Sequence, residues 1–374
     1  MLVTSLQKLI IDRIQSQGPL SFAEYMRMAL YEPGHGYYVN DSSRVGWEGD
    51  FYTSTDVSDF FAHCMGRQLL HMWKQLGHPA PFVVLEQGAG RGDLARGVRA
   101  WATQEAPVFL GVLDYHAEDI CRGHDALQSS LETSTISPTP HVILSNELVD
   151  AFPVHIVEKR DDKLYEIYVT LHEGALSEIL DEPGSPEIAS YLDTYNIPWK
   201  TFPDGWRAEI NLDALRWIQR TARLLSSATL PSTTRGGFLL TIDYGDEAPA
   251  LYTADRPHGT LACYYRHQLT ERPLTRPGEQ DMTAHVNFTA LMQEGERQGL
   301  RQESFTTQGQ WLEAMGILDE LASIRARDFS ILDTDRGSDS GQVALFQWYN
   351  LRQQVVALTD PNGMGKFKVL ILSA

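Results

Sequence analysis

Three glycines alternate at positions 88, 90 and 92 in "VVLEQGAGRGDLARG", directly after an apolar run that ends in Glu86. A dinucleotide loop of the form G-x-G-x-x-G needs its third glycine at position 93, where Asp93 stands instead. A triphosphate loop needs a lysine after its last glycine, and none follows. Asp93 at the start of the next helix repels a pyrophosphate, although the helix end itself favours anions. An adenosyl ligand without phosphates fits better, because Gly88, Gly90 and Gly92 let the backbone come close to a nucleoside with an amino-acid tail. Asp114, 22 residues beyond Gly92, stands where an acceptor for ribose hydroxyls is expected at the end of a second strand. Together these features favour S-adenosyl-L-methionine; the glycines alone are also explained by a tight strand–helix turn.

A second polar cluster lies in "LSNELVDAFPVH". Ser145, Asn146, Glu147 and Asp150 follow an apolar run, and polar groups at a strand's carboxyl end mark a site. Capping of the next turn is the alternative for Ser145 or Asn146. His285 in "DMTAHVNF" is a candidate substrate contact or an ordinary loop residue. The 12 histidines show no H-x-x-x-H pair and Cys64, Cys121 and Cys263 form no C-x-x-C, so neither a metal site nor a disulfide framework is expected.

These residues need a scaffold. Apolar runs at 82–86, 109–114, 142–147 and 237–245 read as parallel strands, with helices at 93–103, 116–130 and 207–226 between them. That is an α/β doubly wound pattern. "VHIVEKRDDKLYEIYV" reads as a hairpin turning at Asp161-Asp162, a helix covers 288–299, and "FKVLILS" closes the chain as a strand. Upstream, Leu2, Leu6, Leu9, Ile10 and Ile14 give an amphipathic helix, and Ser21 with Glu24 forms a capping box. A helix headed by Asp56 is expected to run to about Leu76. The expected division is a helical cap with a Gly-rich loop (1–80), a first half of the core (81–153), an insertion (154–205) and a second half (206–374).

The formal net charge of −18 argues against a nucleic-acid surface, which is built from Lys and Arg. The absence of a long apolar run argues against membrane insertion, and the N-terminus lacks the apolar stretch of a signal peptide. A cytoplasmic location is expected. The hairpin and the cap are candidate surfaces for a substrate protein or for a second copy in a homodimer.

Seven blocks in order carry a family resemblance: "GDFYTSTDVSDFF", "LEQGAGRGDLARG", "ILSNELVDAFPVH", "LLTIDYG", "GTLACYYRHQ", "DMTAHVNF" and "MGKFKVLIL". Together they resemble the MidA-like methyltransferases, whose mitochondrial member assists respiratory complex I assembly as a protein arginine methyltransferase. The resemblance implies a class I, Rossmann-like, mostly parallel seven-stranded sheet with an N-terminal helical cap and an inserted hairpin region. It implies that Gly88, Gly90 and Gly92 line S-adenosyl-L-methionine with Glu86 nearby, that Asp114 takes the ribose, and that Gly49, Asp50, Phe51, Tyr52 and Thr53 cover it. Asn146, Glu147 and Asp150 are implied to stand beside the transferable methyl group. Two positions depart from the family: Asp114 replaces the usual Glu, and Gln87 replaces a commonly apolar residue.

An arginine acceptor constrains the chemistry. A guanidinium with a pKa near ~13 is neutral about once per million at pH 7, a gap of roughly 8 kcal/mol. A carboxylate therefore holds the cation and takes its proton as the new bond forms. Glu147 is the first expectation for that role and Asp150 the second. The alternatives are a small-molecule O- or N-methyltransferase, in which His285 gains importance as a base, or a non-catalytic assembly factor that binds the cofactor. A nicotinamide oxidoreductase is disfavoured by the glycine spacing.

Overall fold

The computed structural model describes residues 4–39, 54–119, 139–226, 236–266 and 268–374. Helix α1 (Ser5–Gln17) starts where the Thr4 hydroxyl accepts from the Gln7 N–H, and it buries Leu6, Ile10 and Ile14 at helical spacing. Gly18, at φ 89°, ends it. Helix α2 (Phe22–Tyr31) carries the expected capping box: Ser21 Oγ accepts from Glu24 N–H, and the Glu24 carboxylate accepts from Ser21 N–H. Such a cap stabilises a helix by about 1 kcal/mol. The expected Asp56-headed helix is divided: a short turn covers Ser54–Val57, and Ser58 then caps α3 (Asp59–Gln75).

The core begins with β1 (Phe82–Gln87), α4 (Asp93–Glu105), β2 (Leu113–Glu118) and β3 (Val142–Asn146). An insertion follows, with antiparallel strands β4 (His155–Arg160), β5 (Lys163–His172), β6 (Ala175–Asp181) and β7 (Arg207–Ile210). The first hairpin turns at Asp161 and Asp162 as expected, both with positive φ, the backbone a two-residue primed turn requires. Helix α5 (Leu212–Ser226) leads back to β8 (Phe238–Asp243). A small antiparallel sheet holds β9 (Ala262–Tyr265) and β10 (Asp281–Thr283), followed by α6 (Phe288–Arg297) and β11 (Arg301–Thr307). Helices α7 (Ile317–Asp328) and α8 (Asp339–Thr359) precede the final strand β12 (Lys368–Ser373).

The central sheet has the order β11-β12-β8-β3-β1-β2. β2, β1, β3 and β8 are parallel, whereas β12 and β11 are antiparallel to their neighbours. Among the described residues the sheet is thus six-stranded and mixed, where seven mostly parallel strands were expected. Its inner strands β1, β3, β8 and β12 are buried on both faces, as near-continuous apolar runs must be, and the edge strands β2 and β11 are partly exposed. Phe82, Val84, Val142 and Leu144 point toward α3, α4 and α8, while Leu85, Ile143 and Leu239 point toward α5 and α6. Period-two alternation on a sheet covered by helices gives three layers.

The N-terminal helices pack away from this core. Leu6, Ile10, Phe22 and Met26 join Ile156, Ile167 and Val169 of the insertion sheet and Cys263 and Met282 of the small sheet. This packing carries the end of α2 and the turn after it to the carboxyl ends of the core strands. Among the described residues no helix is long and apolar enough to cross a membrane.

Candidate active site

β1 runs into Gly88 (φ 73°), Gly90 (φ 52°) and Gly92 (φ 76°), all in the left-handed region that a side chain disfavours. A Cβ on Gly88 would stand 2.9 Å from Leu148 Cδ1, whereas one on Gly90 would meet nothing within 4 Å among the described residues. Gly90 therefore opens onto space, and Gly88 lets the chain after β3 come close. The loop is closed by β2: Ala89 N–H donates to the Glu118 carbonyl at 3.0 Å, and Gly90 N–H to Asp119 Oδ2 at 2.7 Å. Glu86, buried at the end of β1, accepts from the Tyr115 hydroxyl. Burial pushes its pKa up to about 7, against the pull of that hydrogen bond. Gln87, where the family pattern is apolar, is satisfied by Trp217 Nε1–H at 2.8 Å.

Asp114 requires a correction. Pro107–Leu110 forms a single helical turn with proline near its start, so the strand expected at 109–114 begins at Leu113. Asp114 consequently pairs with Val83, far from the carboxyl end, and lies 3.1 Å from His116 Nε2. Glu118, paired with Gln87, occupies the strand end instead. The block Gly49–Thr53 lies outside the described residues. Its neighbour Ser54 is described: Ser54 N–H donates to Glu147 Oε1 at 3.0 Å, and its hydroxyl to Gln308 Oε1 at 3.0 Å.

At the end of β3, Glu147 has φ 51°, a left-handed backbone uncommon for a residue with a side chain. Its Oε1 also accepts from Asn146 Nδ2 at 3.2 Å. Asn146 Oδ1 and Asp150 Oδ1 are buried acceptors with no hydrogen-bond partner among the described residues. Beside them is Asp243, at the end of β8, whose Oδ2 accepts from the N–H groups of Val149 (2.9 Å) and Asp150 (3.3 Å). Burial raises Asp150 to about 6 although the Tyr244 hydroxyl pulls back. Burial and the charges of Asp150 and Glu147 raise Asp243 well above the carboxylate range. The two acids raise each other because like charges disfavour ionisation of both.

A tyrosine wall faces the acids. Tyr31 and Tyr38 stack at 5.5 Å, Tyr38 donates to Asp281 Oδ1 at 2.7 Å, and Tyr31 donates to the Ala151 carbonyl at 2.8 Å. The Tyr31 bond to Ala151, the residue after Asp150, ties this pair to the turn that carries the acid. His285 stands edge-on to Tyr244 at 5.3 Å, and burial lowers its pKa to about 4. It is neutral near pH 7 and a weak base.

Sequence reasoning thus brought Glu86, the glycines, Asn146, Glu147 and Asp150 to one end of the sheet, and misplaced Asp114. It missed Ser54, Glu118, Asp119, Asp243, Tyr244, Tyr31, Tyr38, Asp281 and Gln308. Several of these sit inside motifs already singled out, "LLTIDYG" and "DMTAHVNF" among them. The loop suits S-adenosyl-L-methionine: three left-handed glycines carry the backbone past the end of β1, and an acid, Glu118, stands at the end of β2.

Known proteins agree. Residues 64–306 match the family described as "Putative S-adenosyl-L-methionine-dependent methyltransferase". A relative from Drosophila melanogaster, named Protein arginine methyltransferase NDUFAF7 homolog, mitochondrial, is 28% identical over 79% of this chain and 71% of its own length. The Homo sapiens protein of that name is 24% identical over 77% and 68%. A Burkholderia thailandensis crystal structure with bound S-adenosyl-homocysteine superposes with a TM-score of 0.79 at 27% identity, over 99% of this chain and 92% of that one. The relatives' names place them in mitochondria, which overturns the expectation of a plainly cytoplasmic protein. The matched profile, covering more than half of the chain, and the shared fold show that this protein belongs to that family and is an S-adenosyl-L-methionine-dependent methyltransferase.

Proposed function

We propose that the methyl acceptor is a protein side-chain nitrogen, an arginine guanidinium, held at the carboxyl ends of β3 and β8. The observation that carries this reading is the pair of orphaned buried acceptors, Asn146 Oδ1 and Asp150 Oδ1, beside the second acid Asp243. A planar cation with several N–H donors satisfies acceptors of this kind. The relatives named as protein arginine methyltransferases support it.

S-adenosyl-L-methionine supplies a methyl group on a positively charged sulfur. Gly88, Gly90 and Gly92 would line its methionine and adenosine, and Glu118, in place of Asp114, would take the ribose hydroxyls. Asp150 holds the guanidinium and accepts its proton as the nitrogen bonds to carbon. Ionised at pH 7 with a pKa of about 6, it is a better proton acceptor than an ordinary carboxylate. Asp243 fixes the turn by accepting from the N–H groups of Val149 and Asp150. Glu147, already accepting from Ser54 and Asn146, positions these groups and is not the base. Tyr31 and Tyr38 give the cation an aromatic, hydrogen-bonded wall. Orienting nitrogen, carbon and sulfur in line contributes about 7–11 kcal/mol to the acceleration.

The test is methyl transfer from label-carrying S-adenosyl-L-methionine into proteins of a cell extract, followed by acid hydrolysis. Label in methylated arginine is expected. Label confined to methyl-lysine, to carboxyl esters or to small molecules refutes the acceptor assignment.

A further inference from the structure

Segments far apart in the sequence meet behind the end of β3, and the hydrogen bonds between them run in one direction. Gln308, the first residue of the helix Gln308–Ala314, is fully buried, and so is Ser54. The Gln308 backbone N–H donates to the Phe367 carbonyl at 2.7 Å, and its Nε2 donates to the Leu358 carbonyl at 3.1 Å. Leu358 lies in the last turn of α8, where carbonyls have no partner within the helix. A carbonyl only accepts, so the Gln308 amide turns its NH2 to Leu358 and its Oε1 to Ser54. The Ser54 hydroxyl is thereby the donor to Oε1, while Ser54 N–H donates to Glu147 Oε1. The same Glu147 oxygen accepts from Asn146 Nδ2, so the Asn146 amide shows its NH2 to Glu147 and turns its Oδ1 the other way. That Oδ1 is the buried acceptor with no partner among the described residues.

We propose that Gln308 and Ser54 are positioning residues for methyl transfer: they hold Glu147, and Glu147 decides which end of the Asn146 amide meets the reacting groups. The two ends of an amide have nearly the same shape, so only hydrogen bonds choose between them. Turned over, Asn146 would offer N–H to an acceptor nitrogen that itself carries N–H. Glu147 needs support from outside its own strand, because its backbone sits at φ 51°. Gln308 supplies that support from a rigid place, tied at once to the end of α8 and to the residue before β12. Neither Gln308 nor Ser54 needs to touch a substrate to do this. A site held from behind in this way keeps its geometry as ligands come and go. The inference rests on the reading above in placing the methyl acceptor beside Asn146, and does not require that acceptor to be arginine.

A double-mutant cycle on single-turnover transfer of labelled methyl into extract proteins, at saturating S-adenosyl-L-methionine, tests this. Gln308→Met keeps the length of the side chain and removes both of its hydrogen bonds. It should slow transfer about tenfold in the wild-type background, but less than about twofold once Asn146 is alanine, because the orientation it protects is then gone. Ser54→Ala should repeat the pattern at about fivefold, and stands in for Gln308→Met if that variant does not fold. Gln68→Leu is the control for damage to the fold: it breaks the buried bond from Trp311 of the same helix, and should lower the melting temperature while the rate stays at the wild-type value. Equal slowing in both Asn146 backgrounds, or equal slowing by Gln68→Leu, makes the pair a support of the fold alone and overturns the proposal. A wild-type rate in Gln308→Met and Ser54→Ala, or in Asn146→Ala, overturns it too. The acceptor assignment is judged separately, by where the label is found after hydrolysis.

Discussion

The two halves of the proposed site are built in different ways. The cofactor half, at the ends of β1 and β2, is made mainly by backbone: three left-handed glycines, and amides closed onto Glu118 and Asp119. The acceptor half, at the ends of β3 and β8, is made by side chains from four distant segments: Tyr31 and Tyr38, Asp150, Asp243 with Tyr244, and Asp281. A backbone site needs a contiguous stretch and tolerates few substitutions within it. A side-chain site is free to change its specificity while the cofactor stays fixed. If this division is real, substitutions on one side should leave the other side's measurement nearly untouched.

The largest expected effect is on Asp150→Asn, which keeps the shape but removes the proton acceptor: single-turnover methyl transfer should fall by about 10²–10³-fold. Gly90→Val comes next. It adds a branched side chain at φ 52° on the loop proposed to line the cofactor, and should weaken S-adenosylhomocysteine binding by about 10–100-fold in calorimetry. A pH profile sharpens the acceptor side. Because Asp150 must be ionised, transfer should fall as pH drops through about 6, and a flat profile from 5 to 8 at saturating cofactor would remove it from the mechanism.

Glu86 gives a smaller signature on the cofactor side. The folded protein keeps its proton up to about 7, whereas the ordinary pKa is 4.5. The folded state therefore binds more protons within that window, and stability falls as pH rises through it, by about 3 kcal/mol. Glu86→Gln should flatten this fall when melting is followed from pH 4.5 to 8. The smallest effect is expected for Tyr38→Phe, which removes the bond to Asp281 and should raise the acceptor KM by about 3–10-fold with kcat little changed.

The same contrast decides what was legible in the sequence. The glycine loop was readable because spacing alone dictates its backbone, and Asn146, Glu147 and Asp150 because they sit at the end of an apolar run. Asp114 failed because "PVFL" is apolar enough for a strand, yet its proline opens a helical turn and moves the strand end four residues on, to Glu118. The second hairpin was announced by Glu173-Gly174, both at positive φ, and was passed over because the first hairpin was expected to end near residue 169. Tyr31, Tyr38 and Asp281 carry no local signal of a shared site. Only the packing of α2 on the insertion and small sheets brings them to Asp150.

Calorimetric titration of S-adenosylhomocysteine into Asp150→Asn tests the division most directly. Separate halves predict an affinity within about twofold of wild type in a variant whose methyl transfer has collapsed. An affinity loss as large as that of Gly90→Val would contradict it, and would make Asp150 part of the cofactor's own binding site.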